Sequence, residues 1–126
     1  MKEFEKWFKK AENDLLVITN NLASVNIPVD ACCFHAQQAA EKYLKAYLIS
    51  KEISFPKIHD LIALNNLCIN LNTAFVEIQE SALRLSDYAI TPRYPDALDD
   101  LTLEDAKKAL QDALTIKNFI LRNFFK

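Results

Sequence analysis

The sequence contains no glycine in 126 residues, where average usage would place about nine. Chemistries built on a glycine-rich phosphate cradle, whether Rossmann fingerprint or P-loop, are therefore excluded. A β-rich fold is disfavoured too, because tight hairpins need residues at positive φ. No apolar run approaches the roughly 18 residues that span a bilayer. The start, Met1-Lys2-Glu3-Phe4-Glu5-Lys6-Trp7, carries charge where a signal peptide needs an apolar stretch. Three cysteines, two of them adjacent (Cys32 and Cys33, with Cys68), fit no disulfide framework. An excess of either charge is also missing: 15 Lys and Arg stand against 17 Asp and Glu, for a net charge of −2. That balance gives no support to a dedicated duplex nucleic-acid binder, although it leaves room for a local basic patch. What remains is one mostly helical domain over residues 1–126, expected in the cytoplasm, away from membranes and without a cofactor.

Apolar residues recur at the helical period in five segments. Phe4, Trp7, Phe8, Ala11, Leu15, Ile18 and Leu22 form the first stripe, predicted to end near Ser24. The second helix is predicted from Asp30, as N-cap, to about Lys51. Its face of Cys32, Cys33, Ala36, Ala39, Ala40, Tyr43 and Tyr47 is rich in small residues, which lets neighbouring helices approach closely. This is expected to be the central helix of a bundle. His35, Gln38, Lys42 and Lys45 share one arc of about 80°, read as solvent or a partner surface. Asp60 is placed to cap a third helix reaching about Leu71. A fourth helix is predicted from Ala74 to about Ile90, where Pro92 ends it. Thr102, with Asp105 three residues on, opens the last one, whose stripe includes Leu103, Ala106, Leu110, Ala113, Ile120 and Phe124. The expected architecture is all-α, an up-and-down bundle of four to five helices with short connections. Without glycine to form caps, Asn and Pro are expected to close the helices.

The cysteines are read as small buried hydrophobes; no second pair completes a tetrahedral metal site, and nothing positions a Cys–His nucleophile. Two polar loops are the better candidates. His59-Asp60 stands at a helix start, where free N–H groups can hold an anion with Lys57 and His59 as further donors; the alternative is an N-cap beside a loop histidine. Arg93-Tyr94, braced by Pro92 and Pro95, offers a guanidinium for phosphate or carboxylate and a ring that can stack on a base. The alternative there is a clamp in which Arg93 pairs with Asp14 or Glu41. Asp14, at the edge of the first apolar stripe, needs a partner on another helix.

Several of these segments, taken in order, resemble one family. Trp7-Phe8-Lys9-Lys10-Ala11-Glu12-Asn13-Asp14-Leu15 is similar to the opening helix of the HEPN domain (higher eukaryotes and prokaryotes nucleotide-binding). Gln37-Gln38-Ala39-Ala40-Glu41-Lys42-Tyr43-Leu44-Lys45-Ala46 resembles its second helix, His59-Asp60-Leu61 its third-helix start, and Tyr88 through Arg93-Tyr94-Pro95-Asp96 its loop after the fourth. The resemblance implies an all-α bundle, commonly a homodimer, often encoded beside a minimal nucleotidyltransferase in a toxin–antitoxin-like pair. Some members are metal-independent ribonucleases with an Arg, four to six residues, then His. Here neither Arg84 nor Arg93 is followed by such a histidine, and Arg122 stands four residues from the end. The expectation is thus a non-catalytic module that binds nucleotide or RNA phosphate and acts with a nucleotidyltransferase partner. Its candidate ligand-binding residues are Glu41, His59, Asp60, Arg93 and Tyr94. The alternatives are a degenerate ribonuclease using His59 and Arg93, or a purely structural interaction bundle.

Overall fold

A computed structural model describes residues 1–89 and 101–125. Among these there are five α-helices and no strand: α1 (Glu3–Leu22), α2 (Val29–Ser50), α3 (Leu61–Leu71), α4 (Gln79–Ser86) and α5 (Leu103–Phe124), with a 3₁₀ segment, Thr73–Ile78, leading into α4. The all-α bundle expected from the 3.6 period is the fold observed.

α2 is central. It packs along α1 and α5 and also meets α3 and α4, and thirteen of its 22 residues are buried. The small residues Cys32, Cys33, Ala36, Ala39 and Ala40 are all at 0% exposure, so the neighbouring backbones can close in around them. Larger side chains gather where the C-terminal end of α5 meets α2. Phe75 stacks on Phe124 with ring centroids 5.3 Å apart and meets Tyr47 at 4.6 Å and Phe119 at 5.1 Å. At the other side Phe8 joins Tyr43 and Phe125 at 5.7 and 4.9 Å, which ties the first helix to the last.

Local chemistry sets the helix boundaries. Asp60 caps α3 by accepting from the Ile62 and Ala63 N–H groups at 2.9 and 3.3 Å. Thr102 and Asp105 form the reciprocal capping box that opens α5. α2 starts one residue before the expected Asp30 cap. Pro28 precedes it with φ near −79°, and Asp30 sits in the first turn, where its charge favours the helix dipole.

The fourth segment departs further from expectation. Asn72 is extended and its side chain accepts from Ala74 N–H. The chain then winds as a 3₁₀ turn that drops Phe75 and Ile78 into the core, and α4 proper begins at Gln79 and ends at Ser86. Residues 87–89 continue as i→i+3 turns, with Tyr88 N–H on Leu85 O and Ala89 N–H on Ser86 O. Ala74, the expected start of this helix, is exposed, as is Leu103 of the last apolar stripe at 37%. Both stand at the outer edge of a cap, where the helical stripe has not yet turned inward.

The close of α2 is a second departure, since neither Asn nor Pro performs it. Glu52 takes φ of 59°, the left-handed region, while its N–H reaches Ile49 O and the Ile53 N–H reaches Leu48 O. Glutamate here does what glycine does elsewhere.

Candidate functional site

Three successive turns of α2 carry a polar ladder into the interior. Gln37, Glu41 and Lys45 follow each other at four-residue spacing, so they lie one above another on a single face, and they are 0%, 3% and 6% exposed. Such groups are tolerated inside only when paired. Lys45 Nζ lies 3.1 Å from Glu41 Oε2 and 5.6 Å from the ring centroids of both Trp7 and Phe55. The ammonium is therefore held by one carboxylate and two aromatic faces. Gln37 Nε2 donates to the His59 carbonyl at 3.0 Å and approaches Glu41 Oε1 at 3.5 Å.

His59 completes the cluster from the connector before α3. Its Nδ1 is 3.1 and 3.2 Å from the two Glu41 oxygens. A carboxylate only accepts, so the ring N–H donates, and in the neutral ring Nε2 is left as an acceptor. The His59 side chain is 70% exposed although Glu41 beneath it is only 4% exposed. The chain therefore presents an oriented imidazole at its surface, anchored to an ion pair below. Such a group can donate to an anion when protonated and carry a proton when not.

Of the residues singled out from the sequence, Glu41 and His59 are thus brought into direct contact, and Asp60 adjoins them through the backbone. Asp60 spends its own carboxylate on the α3 cap, so two N–H groups at that helix start are met internally and closed to an outside anion. Arg93 and Tyr94 lie outside the described residues. Lys45, Gln37, Trp7 and Phe55 were not among the candidates. The arc of His35, Gln38, Lys42 and Lys45 proves not to be a solvent face: Lys45 is buried, and His35 and Lys42 converge on Asp14 at 2.8 and 2.5 Å. α1 covers that side of α2, which makes these residues interhelical. The spacing Gln-x3-Glu-x3-Lys was the available signal for the ladder.

The other charge pairs between helices are structural ties. Asp112 of α5, 2% exposed, takes two bonds from Arg84 at 3.0 and 2.9 Å and one from Ser81 at 3.3 Å. Arg84 is thereby committed within the bundle. Glu12 accepts from the Tyr43 hydroxyl and from Lys117 at 2.8 Å. Burial opposes its charge, yet these two donors outweigh it and hold the Glu12 carboxyl below its ordinary range. The thiols behave oppositely. Burial above all, with the charges of Asp105 and nearby groups, pushes Cys33 up to about 11, and burial alone pushes Cys68 up to about 12. A nucleophilic cysteine needs the reverse shift. Among the described residues no helix is long and apolar enough to cross a membrane.

Comparison with known proteins agrees with the helical architecture. A protein of Methanocaldococcus jannaschii named "Putative toxin MJ1304" is 26% identical over 134 aligned positions, covering 95% of this chain and 86% of that one. No solved structure matches significantly. The HEPN domain family model matches residues 4–123, nearly the whole sequence, and the chain therefore belongs to the HEPN domain family.

Proposed function

We propose that this HEPN chain is one half of a toxin–antitoxin-like pair and binds nucleotide or RNA phosphate at the His59 edge of α2. The observation that carries this reading is the exposed imidazole fixed by a buried carboxylate that is itself matched by Lys45. A protonated His59 can donate from Nε2 to a phosphate oxygen while Glu41 keeps the ring from rotating away. Trp7 and Phe55 close the apolar side of the cluster. Arg93 and Tyr94 complete the proposed ligand-binding set with Glu41 and His59, and Asp60 belongs to it by fixing the start of α3 beside the imidazole. The name of the archaeal relative supports the toxin–antitoxin setting. In that setting the chain acts as a homodimer with a minimal nucleotidyltransferase partner in the cytoplasm. Isothermal titration with ATP, GTP and short RNAs tests the binding. Heat is expected for at least one of them, and it should fall at least tenfold in affinity in His59→Ala and Arg93→Ala. An absence of heat with all three overturns the reading.

A second reading is favoured by the same His59–Glu41 contact, because a histidine oriented by a carboxylate is also the arrangement of a general acid–base. It makes the chain a metal-independent ribonuclease with a rearranged site in which Arg93 steadies the phosphate. Incubation with structured RNA in EDTA separates the two: cleavage that disappears in His59→Ala supports the enzyme, and intact RNA rejects it.

A further inference from the structure

The lysines of α1 differ from the lysines and arginines within the other helices, all of which are paired among the described residues. Among the described residues, ion pairs fall to the cations of α2, α4 and α5: Lys42 with Asp14, Lys45 with Glu41, Arg84 with Asp112, Lys117 with Glu12. α1 contributes two of those acids, Glu12 and Asp14, both spent on other helices. Its own Lys6, Lys9 and Lys10 are exposed and take no carboxylate partner among the described residues.

Their spacing gathers them. Residues three and four apart on a helix lie about 5–6 Å from each other. Lys6, Lys9, Lys10 and Asn13 therefore occupy one arc of roughly 100°, and the residues of α1 that share it, Val17 and Asn20, add no acid. The same four side chains, with Met1, line an open cleft of about 400 Å³. In a protein of net charge −2, this is a concentrated positive surface.

We propose that the Lys6–Lys9–Lys10 face of α1 is a docking track for the phosphate backbone of RNA; the inference rests on the nucleic-acid reading above. Two physical points favour a polyphosphate over a protein surface. Lysine is depleted in the cores of protein interfaces, where Trp, Tyr and Arg carry the energy, and the arc offers no aromatic anchor. Flexible ammonium groups on neighbouring turns, by contrast, suit a chain of charges that needs no fixed register. The track also adjoins the candidate site. Trp7, whose ring meets Lys45 Nζ, follows Lys6 in sequence and lies about 60° around the helix from Lys10. RNA held along α1 would thus extend toward His59.

The test compares the full chain with the triple variant Lys6→Gln, Lys9→Gln, Lys10→Gln, binding a fluorescein-labelled 20-nucleotide single-stranded RNA across 50 to 200 mM salt. A control variant, Lys51→Gln, Lys107→Gln, Arg122→Gln, removes equal charge elsewhere, and circular dichroism checks both folds. The triple variant is expected to lose roughly tenfold in affinity at 50 mM salt and about two units of the salt slope, while the control stays within about twofold of wild type. Equal losses in the two variants, or none in the triple, overturn the track. The nucleotide-binding reading is judged separately: ATP heat that survives in the triple variant but falls in His59→Ala leaves it standing when the track fails. A wild-type chain with no affinity for RNA at 50 mM salt sinks the track, and ATP heat alone then decides the rest.

Discussion

His59 Nδ1 rests 3.1 Å from Glu41 Oε1, joining a ring that is 70% exposed to a carboxylate that is 4% exposed. The two ends of this contact should respond differently to mutation. His59→Ala removes an exposed partner, so stability is expected to change by less than about 1 kcal/mol. Ligand heat should nevertheless be lost. Chemical denaturation and titration on the same preparation check the split, and a strongly destabilised His59→Ala would make the contact structural.

Glu41→Ala should behave in the opposite way. It leaves Lys45 buried with only the Trp7 and Phe55 faces for company. Breaking one side of a buried pair costs about 3–5 kcal/mol. Adding Lys45→Met is expected to recover much of that loss, because the unpaired charge is then gone. Urea midpoints for the single and double variants provide the measurement.

Asp112 and Arg84 form the corresponding tie between α5 and α4. Arg84→Ala would strand a carboxylate that is 3% exposed, leaving it Ser81 and Lys108, the latter at 3.7 Å. A loss of about 2–4 kcal/mol is expected. Asp112→Asn, which keeps a neutral acceptor in place, should cost less. Thermal melts of the two variants would reject the idea if their order were reversed.

The thiols predict the alkaline limit of the fold. Cys33 and Cys68 hold their protons up to about 11 and 12 in the folded chain, against an ordinary value of 9.0. Above pH 9 the unfolded chain therefore binds fewer protons than the native one, and stability falls as pH rises. Between pH 9 and about 11 each thiol contributes up to about 1.4 kcal/mol per pH unit. Denaturation midpoints should decline over that window and decline less steeply in Cys33→Ala. At pH 8 the native protein should resist a thiol reagent that labels all three cysteines in urea.

The core of α2 could be read in the sequence because its small residues repeat at a helical spacing. So could the need of Asp14 for an interhelical partner. The identity of the partners was less accessible. A helical wheel assigns a polar arc to solvent, and that inference fails on a helix covered by α1, α3, α4 and α5, where His35, Lys42 and Lys45 all face protein. Glu41 and His59 stood out individually, but their meeting depends on the path of the connector between α2 and α3, which has no periodicity to read. The 3₁₀ entry to α4 was hidden for a related reason: Phe75, Ile78, Ala82 and Leu85 also follow the α-helical spacing, so the tighter winding leaves no mark in the apolar pattern. Arg93 and Tyr94 remain candidates on their sequence context alone.

The buried pairing of Glu41 with Lys45 also constrains how this sequence can drift. A change at either position alone passes through a protein with an unmatched interior charge, while a joint exchange for two apolar residues, or for the reversed pair, avoids it. Substitution at these sites should consequently proceed in tandem across related chains. Position 59, exposed above them, can vary without that penalty wherever its ligand no longer matters. A lineage that has abandoned the ligand should therefore show a lost histidine over an intact acid–base couple.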